Sequence, residues 1–181
     1  MEAKEVITGS KLPDGNAKEA VLDKLTVTTR ELLQMLASFS QQEINAIPFA
    51  GSWTAAQVAE HILKSDQGVL KTLHGRVKPT ERPPDAGLEG LQTTFLNFAT
   101  KLKSPEFILP SSAGHDKETL LQSLQSTRSS ISQAAGTLDL AQTCLDMPVL
   151  GEITRLELIY LVMYHTQRHI HQLRNIRKSI I

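Results

Sequence analysis

Residues 158–173 read LIYLVMYHTQRHIHQL, and their pattern decides the fold. Leu158, Val162, His165, His169, Leu173 and Ile176 recur at three and four, which is one face of an α-helix and not the alternation of a strand. The helix has a start signal at Thr154 and Glu157, a capping box in which the hydroxyl takes a backbone N–H and the carboxylate reaches back. Ile153 and Leu158 occupy the positions of a hydrophobic staple. Arg174, Arg177 and Lys178 suit the negative end of the helix dipole, so the helix is expected to run from Thr154 to about Lys178.

The same reading extends outward along the chain. Gly9, Pro13, Asp14 and Gly15 make residues 1–16 an expected extended or loosely packed lead-in, after which Asn16 can cap a helix to about Phe39. Val21, Leu25, Leu32, Leu36 and Phe39 form its apolar stripe. A connection over 41–52 holds Pro48 and Gly51. Thr54 and Gln57 then form a second capping box, flanked by Trp53 and Val58 as staple, for a helix that fades near Gly75. Three prolines make 78–87 a loop or crossover. Leu88, Leu91, Phe95, Phe98 and Leu102 mark a third helix. An irregular stretch over 104–114 follows, whose Phe107, Ile108 and Leu109 are expected to pack down in part. A fourth helix covers 117–138 on the stripe Leu120, Leu121, Leu124, Ile131, Ala135 and Leu138, and 139–151 connects it, through Pro148, to the last. No segment shows a strand pattern, and no solenoid repeat appears. Five helical segments joined by long proline-bearing connections predict one all-α domain over 1–181, a helical bundle.

Composition narrows the partners. The chain has 181 residues, is 40% hydrophobic, and carries 19 basic against 19 acidic residues. That balance argues against nucleic acid, whose binders show a basic excess, and removes the electrostatic reason for binding anionic lipid. One cysteine, Cys144, forms no internal disulfide and builds no cysteine-rich zinc site. The polar start MEAKEVITGSKLPDG lacks the apolar core of a secretory signal, and no run approaches a membrane span, so a cytoplasmic location is expected.

The histidines carry the chemistry. His165 and His169, four apart, stack on one helix face with Cβ atoms roughly 6 Å apart, so both rings point into the bundle and can share a metal. His61 lies between Val58 and Ser65 on the core-facing side of the second helix. Three imidazoles from two helices suit one borderline-soft divalent ion, zinc or nickel. They leave a coordination position open, the pattern of a catalytic site where a bound cation acidifies water or a thiol. Buried core histidines are the plainer alternative, and neither spacing alone decides between them.

The wider sequence resembles a known family. SWTAAQVAEHI at 52–62, the proline-rich middle, and LGEITRLELIYLVMYHTQRHIHQL at 150–173 are together similar to the DinB-like, or YfiT-like, helical metal proteins. The resemblance covers most of the chain, and its most specific part is the Thr-Gln-Arg-His run followed by Gln172. It implies a four-helix bundle with a long crossover plus one additional helix, often dimeric. It also implies a metal triad at positions matching His61, His165 and His169. The activity it implies is either a metal-dependent hydrolase or a transferase that activates a low-molecular-weight thiol, acting on a small molecule. A non-catalytic, metal-stabilised or stress-linked binding module is the alternative class, with a vestigial metal site as a third.

Other residues receive plainer readings. Gln57 and Ser65, four before and four after His61, are candidates to flank the pocket, although capping alone explains Gln57. Gln172 is expected either to orient a ligand or to pack. His171 projects away from His169, and His74 and His115 are expected to be solvated. Arg168 is expected to pair with a carboxylate, and Asp66 to turn away from His61. Trp53 reads as a staple more than a stacking platform, and Cys144 has no partner histidine.

Overall fold

A computed structural model of the protein describes residues 15–147 and 149–180, without the side chains of residues 15 and 16. Most of the expected lead-in, and Pro148, lie outside the described residues. The order of elements is α1 (Gly15–Ala37), α2 (Gln41–Ile44), α3 (Ala55–Leu73), β1 (Val77–Lys78), α4 (Leu88–Leu96), a 3-10 turn (Glu106–Ile108), α5 (Lys117–Thr137), β2 (Thr143–Cys144), β3 (Ile153–Thr154) and α6 (Arg155–Ile180). α1 packs on α5 and α6, and α3 packs on the same two, so these four helices form the bundle. The chain between α3 and α5 is the long crossover, and it lays α4 against the outside of α6 as the additional helix.

The start signals of α3 and α6 are made as expected. Thr54 Oγ1 accepts from the Gln57 N–H at 3.1 Å while Gln57 Oε1 accepts from the Thr54 N–H at 3.0 Å. Thr154 and Glu157 repeat the exchange at 3.2 and 2.9 Å. Glu157 does more than cap. Its buried carboxylate also accepts two 2.6 Å bonds from Arg82 and one from the Gly87 N–H, which ties the crossover to the start of α6. Gly87 permits that approach, because a Cβ there would sit 2.6 Å from Glu157 Oε1.

Five expectations need correction. α1 is already helical at Gly15, so Asn16 is not its cap. Among the described residues, three two-residue strands form an antiparallel sheet in the order β1-β2-β3, pairing Val77 with Cys144 and Cys144 with Ile153. Strands this short carry no alternation to read, because partners far apart in sequence make them. The connection over 41–52 contains one helical turn, α2, closed by a Ser40–Glu43 capping box. The third helix ends at Leu96 and excludes Phe98 and Leu102. There the Asn97 side chain turns back to accept from the Ala99 N–H, and Arg168 takes the carbonyls of Phe95, Asn97 and Thr100. Arg168 thus binds backbone carbonyls in place of the expected carboxylate.

The core has two apolar clusters separated by a polar layer. One cluster gathers Val21, Leu25, Val69, Leu73, Ile131 and the first turns of α6 near the sheet. The other gathers Leu32, Leu36, Ile62, Leu124 and Leu173. Between them along the helices lie buried Thr28, His61, Asp66, Arg128, His165, Thr166 and His169. Arg128 on α5 donates through Nε to Asp66 Oδ2 of α3 at 2.6 Å and through Nη2 to Thr166 Oγ1 of α6 at 2.6 Å. Burial pushes the Asp66 carboxyl above its ordinary range, and Arg128 pulls it back.

Replacing Asp66 by Ala leaves the buried guanidinium unpaired, and removal of one buried partner costs about 3–5 kcal/mol. Urea denaturation followed by circular dichroism measures the loss. A change below about 1 kcal/mol would contradict the central place given to this pair.

Candidate metal centre

His61 enters the polar layer from the second turn of α3, and His165 and His169 enter it from one face of α6. Each helix is positioned by its capping box and by apolar contacts on either side of the layer, so the three rings are held from above and below. His165 Nε2 lies 3.0 Å from the Nε2 of His61 and 3.0 Å from that of His169. All three candidate ligand atoms fall within 4.8 Å of one another, and all three residues are buried.

The opposite ring nitrogens fix the direction of the lone pairs. His61 Nδ1 faces the Ile108 carbonyl at 2.9 Å, and since a carbonyl only accepts, that nitrogen carries the proton. His169 Nδ1 donates in the same way to Gln172 Oε1 at 2.8 Å. Both rings therefore present an Nε2 lone pair to the common point. His165 Nδ1 is buried without a hydrogen-bond partner, so at most one proton is available to three facing nitrogens. Imidazole lone pairs gathered this closely in a dry interior repel unless a proton or a cation lies between them. Metal bonds of about 2.0–2.1 Å at a tetrahedral angle place nitrogens about 3.3 Å apart, close to the two 3.0 Å spacings that His165 makes. The donor set fits a divalent ion.

Electrostatics keep the rings in the ligating, neutral form. Burial lowers the pKa of His61, opposed by its bond to Ile108. Burial, reinforced by the neighbouring rings and by Arg128 and Arg168, drives His165 well below the ordinary value. Burial takes His169 down to about 3, against the opposing effect of Gln172. The Trp53 ring packs on His61 at 5.1 Å between centroids, so it covers the site as well as joining the apolar cluster beside the start of α3. Phe95 meets the His165 ring edge-on at 5.9 Å.

A cavity of about 770 Å³ opens from the triad. Ser65 and Arg168 line it with the three histidines. Gln57 and Gln172 are not among its lining residues: Gln57 is engaged in the cap and in a bond to the Ser111 carbonyl, and Gln172 in holding His169. His171 stacks on Phe98 at 4.4 Å, and His74 is exposed at the end of α3. His115, expected in solvent, is instead partly buried 3.3 Å from Glu60. Asp66 is turned to Arg128, as its helical position relative to His61 requires.

Sequence reading missed Arg128, Thr166 and the Ile108 carbonyl. A signal for the ion pair was present. Asp66 falls on the stripe of Ile62, Val69 and Leu73, and Arg128 on that of Leu124, Ile131 and Ala135, so each apolar face carries one charge of opposite sign. Nothing in spacing could place a backbone carbonyl of the crossover against His61.

The fold and the site together define a class of helical bundle that collects imidazoles from two helices in a polar layer. Residues 24–173 match the model of the DinB superfamily, and the chain belongs to that family. It is 26% identical over 151 residues to the uncharacterized protein YuaE of Bacillus subtilis (strain 168), covering 80% of this chain and 90% of that protein. Its fold is similar to that of YfiT from Bacillus subtilis, described as a probable metal-dependent hydrolase with an unusual four-helix bundle topology. That match has a TM-score of 0.58 and 17% identity and covers 96% of this chain and 95% of that one.

The triad also sets a pH dependence. A histidine with a depressed native pKa leaves stability intact above its unfolded value and removes it as pH falls, because the unfolded chain binds the proton first. With His169 near 3 in the native state, the window lies between about pH 6.5 and pH 3. Chelator-treated protein is expected to lose stability in denaturant titrations from pH 7 to pH 4, and His169→Gln to flatten that slope. An equal slope in the variant would refute the assignment.

Proposed function

We propose that this protein uses His61, His165 and His169 to hold one divalent metal ion, zinc or nickel, and that it is a metal-dependent enzyme acting on a small molecule. The observation that carries the reading is the convergence of three Nε2 atoms at the floor of a cavity, with two of the lone pairs fixed by bonds on the far side of their rings. Among the described residues no fourth histidine, cysteine, aspartate or glutamate joins the group. That favours an open coordination position and an enzyme over a closed, purely structural site.

A bound divalent ion supplies Lewis acidity, which activates water or a low-molecular-weight thiol for attack on an electrophilic substrate. The chain's own residues do the rest. Ile108 and Gln172 hold two rings in the ligating tautomer, which raises their basicity and fixes their orientation. Trp53 and Phe95 pack against the rings and exclude water from that side. Among the described residues no free carboxylate adjoins the triad: Asp66 is committed to Arg128, and Asp146, which borders the cavity, is held by Arg76. The protein is therefore assigned no general base of its own, which suits both a hydrolase and a thiol-dependent transferase. Ser65 is the nearest proposed substrate contact, and Gln57 and Gln172 act through the cap and through His169. Among the described residues no helix is long and apolar enough to cross a membrane. A cytoplasmic location and a homodimer belong to the same reading.

Elemental analysis of protein purified without a histidine tag is expected to find about one zinc or nickel per chain, and His165→Ala to lose most of it. Parent protein that stays metal-free after incubation with both ions would overturn the proposal. Thiol-plus-electrophile pairs, screened beside simple esters and amides, divide the two reactions.

A further inference from the structure

The segment over 97–111 is a strap tied down at both ends and free in the middle. At one end the half-buried Arg168, on α6 between His165 and His169, donates to the carbonyls of Phe95, Asn97 and Thr100. At the other, one face of α3 holds it. His61 binds the Ile108 carbonyl at 2.9 Å, Lys64 that of Leu109 at 2.7 Å, Gln57 that of Ser111 at 2.9 Å, and Glu60 accepts from the Ser111 N–H at 2.7 Å. Between the ties, Leu102 and Phe107 line the cavity yet remain 40% and 62% exposed. Val149 and Leu150, from the connection between β2 and β3, line it too and are 51% and 37% exposed.

Large apolar side chains left in water singly need no explanation, but four from two separate segments around one opening do. Neither pair belongs to the apolar clusters of the core. The strap is attached where the metal centre is built, through His61 and Arg168, while the β2–β3 connection leads into the start of α6, which carries His165 and His169 two to three turns further on. The space they enclose, about 770 Å³, lies within the range of roughly 300–1,000 Å³ that small-molecule sites occupy. Its inner lining, Val69, Leu161 and the three histidines, is buried below the surface that the flat face of another protein reaches. Val69, Phe95 and Leu161 continue the apolar lining inward.

The geometry points to an apolar organic molecule of one to three rings as the ligand of this cavity, with Leu102 and Phe107 from the strap and Val149 and Leu150 from the β2–β3 connection selecting it. This deepens the reading of the metal site and rests on it for where the reacting end of the ligand lies. Lys71 and Lys103 also border the cavity, both exposed, and the selection is made by the apolar pairs between them.

Binding is tested with the neutral fluorophore N-phenyl-1-naphthylamine on the full chain, with and without chelator. Saturable uptake of one dye per chain is expected, kept by chelated protein. Phe107→Asp and Val149→Asp, from the two separate segments that line the cavity, are each expected to weaken it by about tenfold or more, since a charge replaces apolar surface. Phe49→Asp, an exposed aromatic that does not line the cavity, is expected to change nothing. Thermal melts check that each variant folds. Non-saturable binding, equal loss in Phe49→Asp, or sedimentation showing dye uptake only on dissociation of a dimer overturns the inference. Dye binding without metal loading sinks the metal reading alone, and metal loading without dye binding sinks this one alone.

Discussion

The structure depends on a polar layer set across the middle of a four-helix bundle. Each of α1, α3, α5 and α6 is apolar toward both ends and polar where the layer crosses it, at Thr28, at His61 and Asp66, at Arg128, and at His165, Thr166 and His169. Burying so many polar groups is unfavourable unless each finds a partner. One half of the layer finds partners within itself for all but Arg128 Nη1, since Arg128 bridges Asp66 and Thr166 and so ties α5 to α3 and α6. The other half does not. Its three imidazoles face one another, and the protein offers them at most one proton to share. The first half fixes how the helices stack; the second leaves an attraction for a cation that the first cannot meet.

This division explains the separation of Asp66 from His61, its neighbour in both sequence and depth. A carboxylate free to reach the triad would be a ligand or a base. Arg128 removes it from either role by a buried charge-assisted bond, which is stronger than a neutral one. The site is left with nitrogen donors alone, which is the donor set that favours zinc or nickel over harder ions such as magnesium.

Much of this was legible in the sequence, and the limits have a physical cause. Capping boxes at Thr54 and Thr154 and the stripes they open are local signals, so α3 and α6, and with them the three histidines, were placed within a residue or two. His-x3-His spacing required both rings to share a face, and the capped start of α3 set where His61 falls. What escaped was non-local. The sheet of two-residue strands exists only because β1, β2 and β3 meet after the bundle has formed. The early end of α4 is imposed from another helix, by Arg168 taking the carbonyls that would otherwise cap it. Arg128 stood as a charge on an apolar stripe, a visible inconsistency whose partner lay on a different helix.

The crossover, for all its irregular stretches, is bonded directly to the site. Its Ile108 carbonyl sets the tautomer of His61, so the direction of a ligand lone pair is decided by a segment with almost no repeating pattern. That places the donor atoms and the cavity wall under one constraint. A change in the strap that moved Phe107 would also move the carbonyl beside it, and a change at His61 would release one end of the wall. The proposed ligand atom of His61 and the proposed selecting wall are therefore mechanically joined on α3. The other wall, carried by the β2–β3 connection, touches no ring of the triad by hydrogen bond among the described residues. Variation that leaves the imidazoles undisturbed has room there, around Val149 and Leu150, and is constrained at the strap.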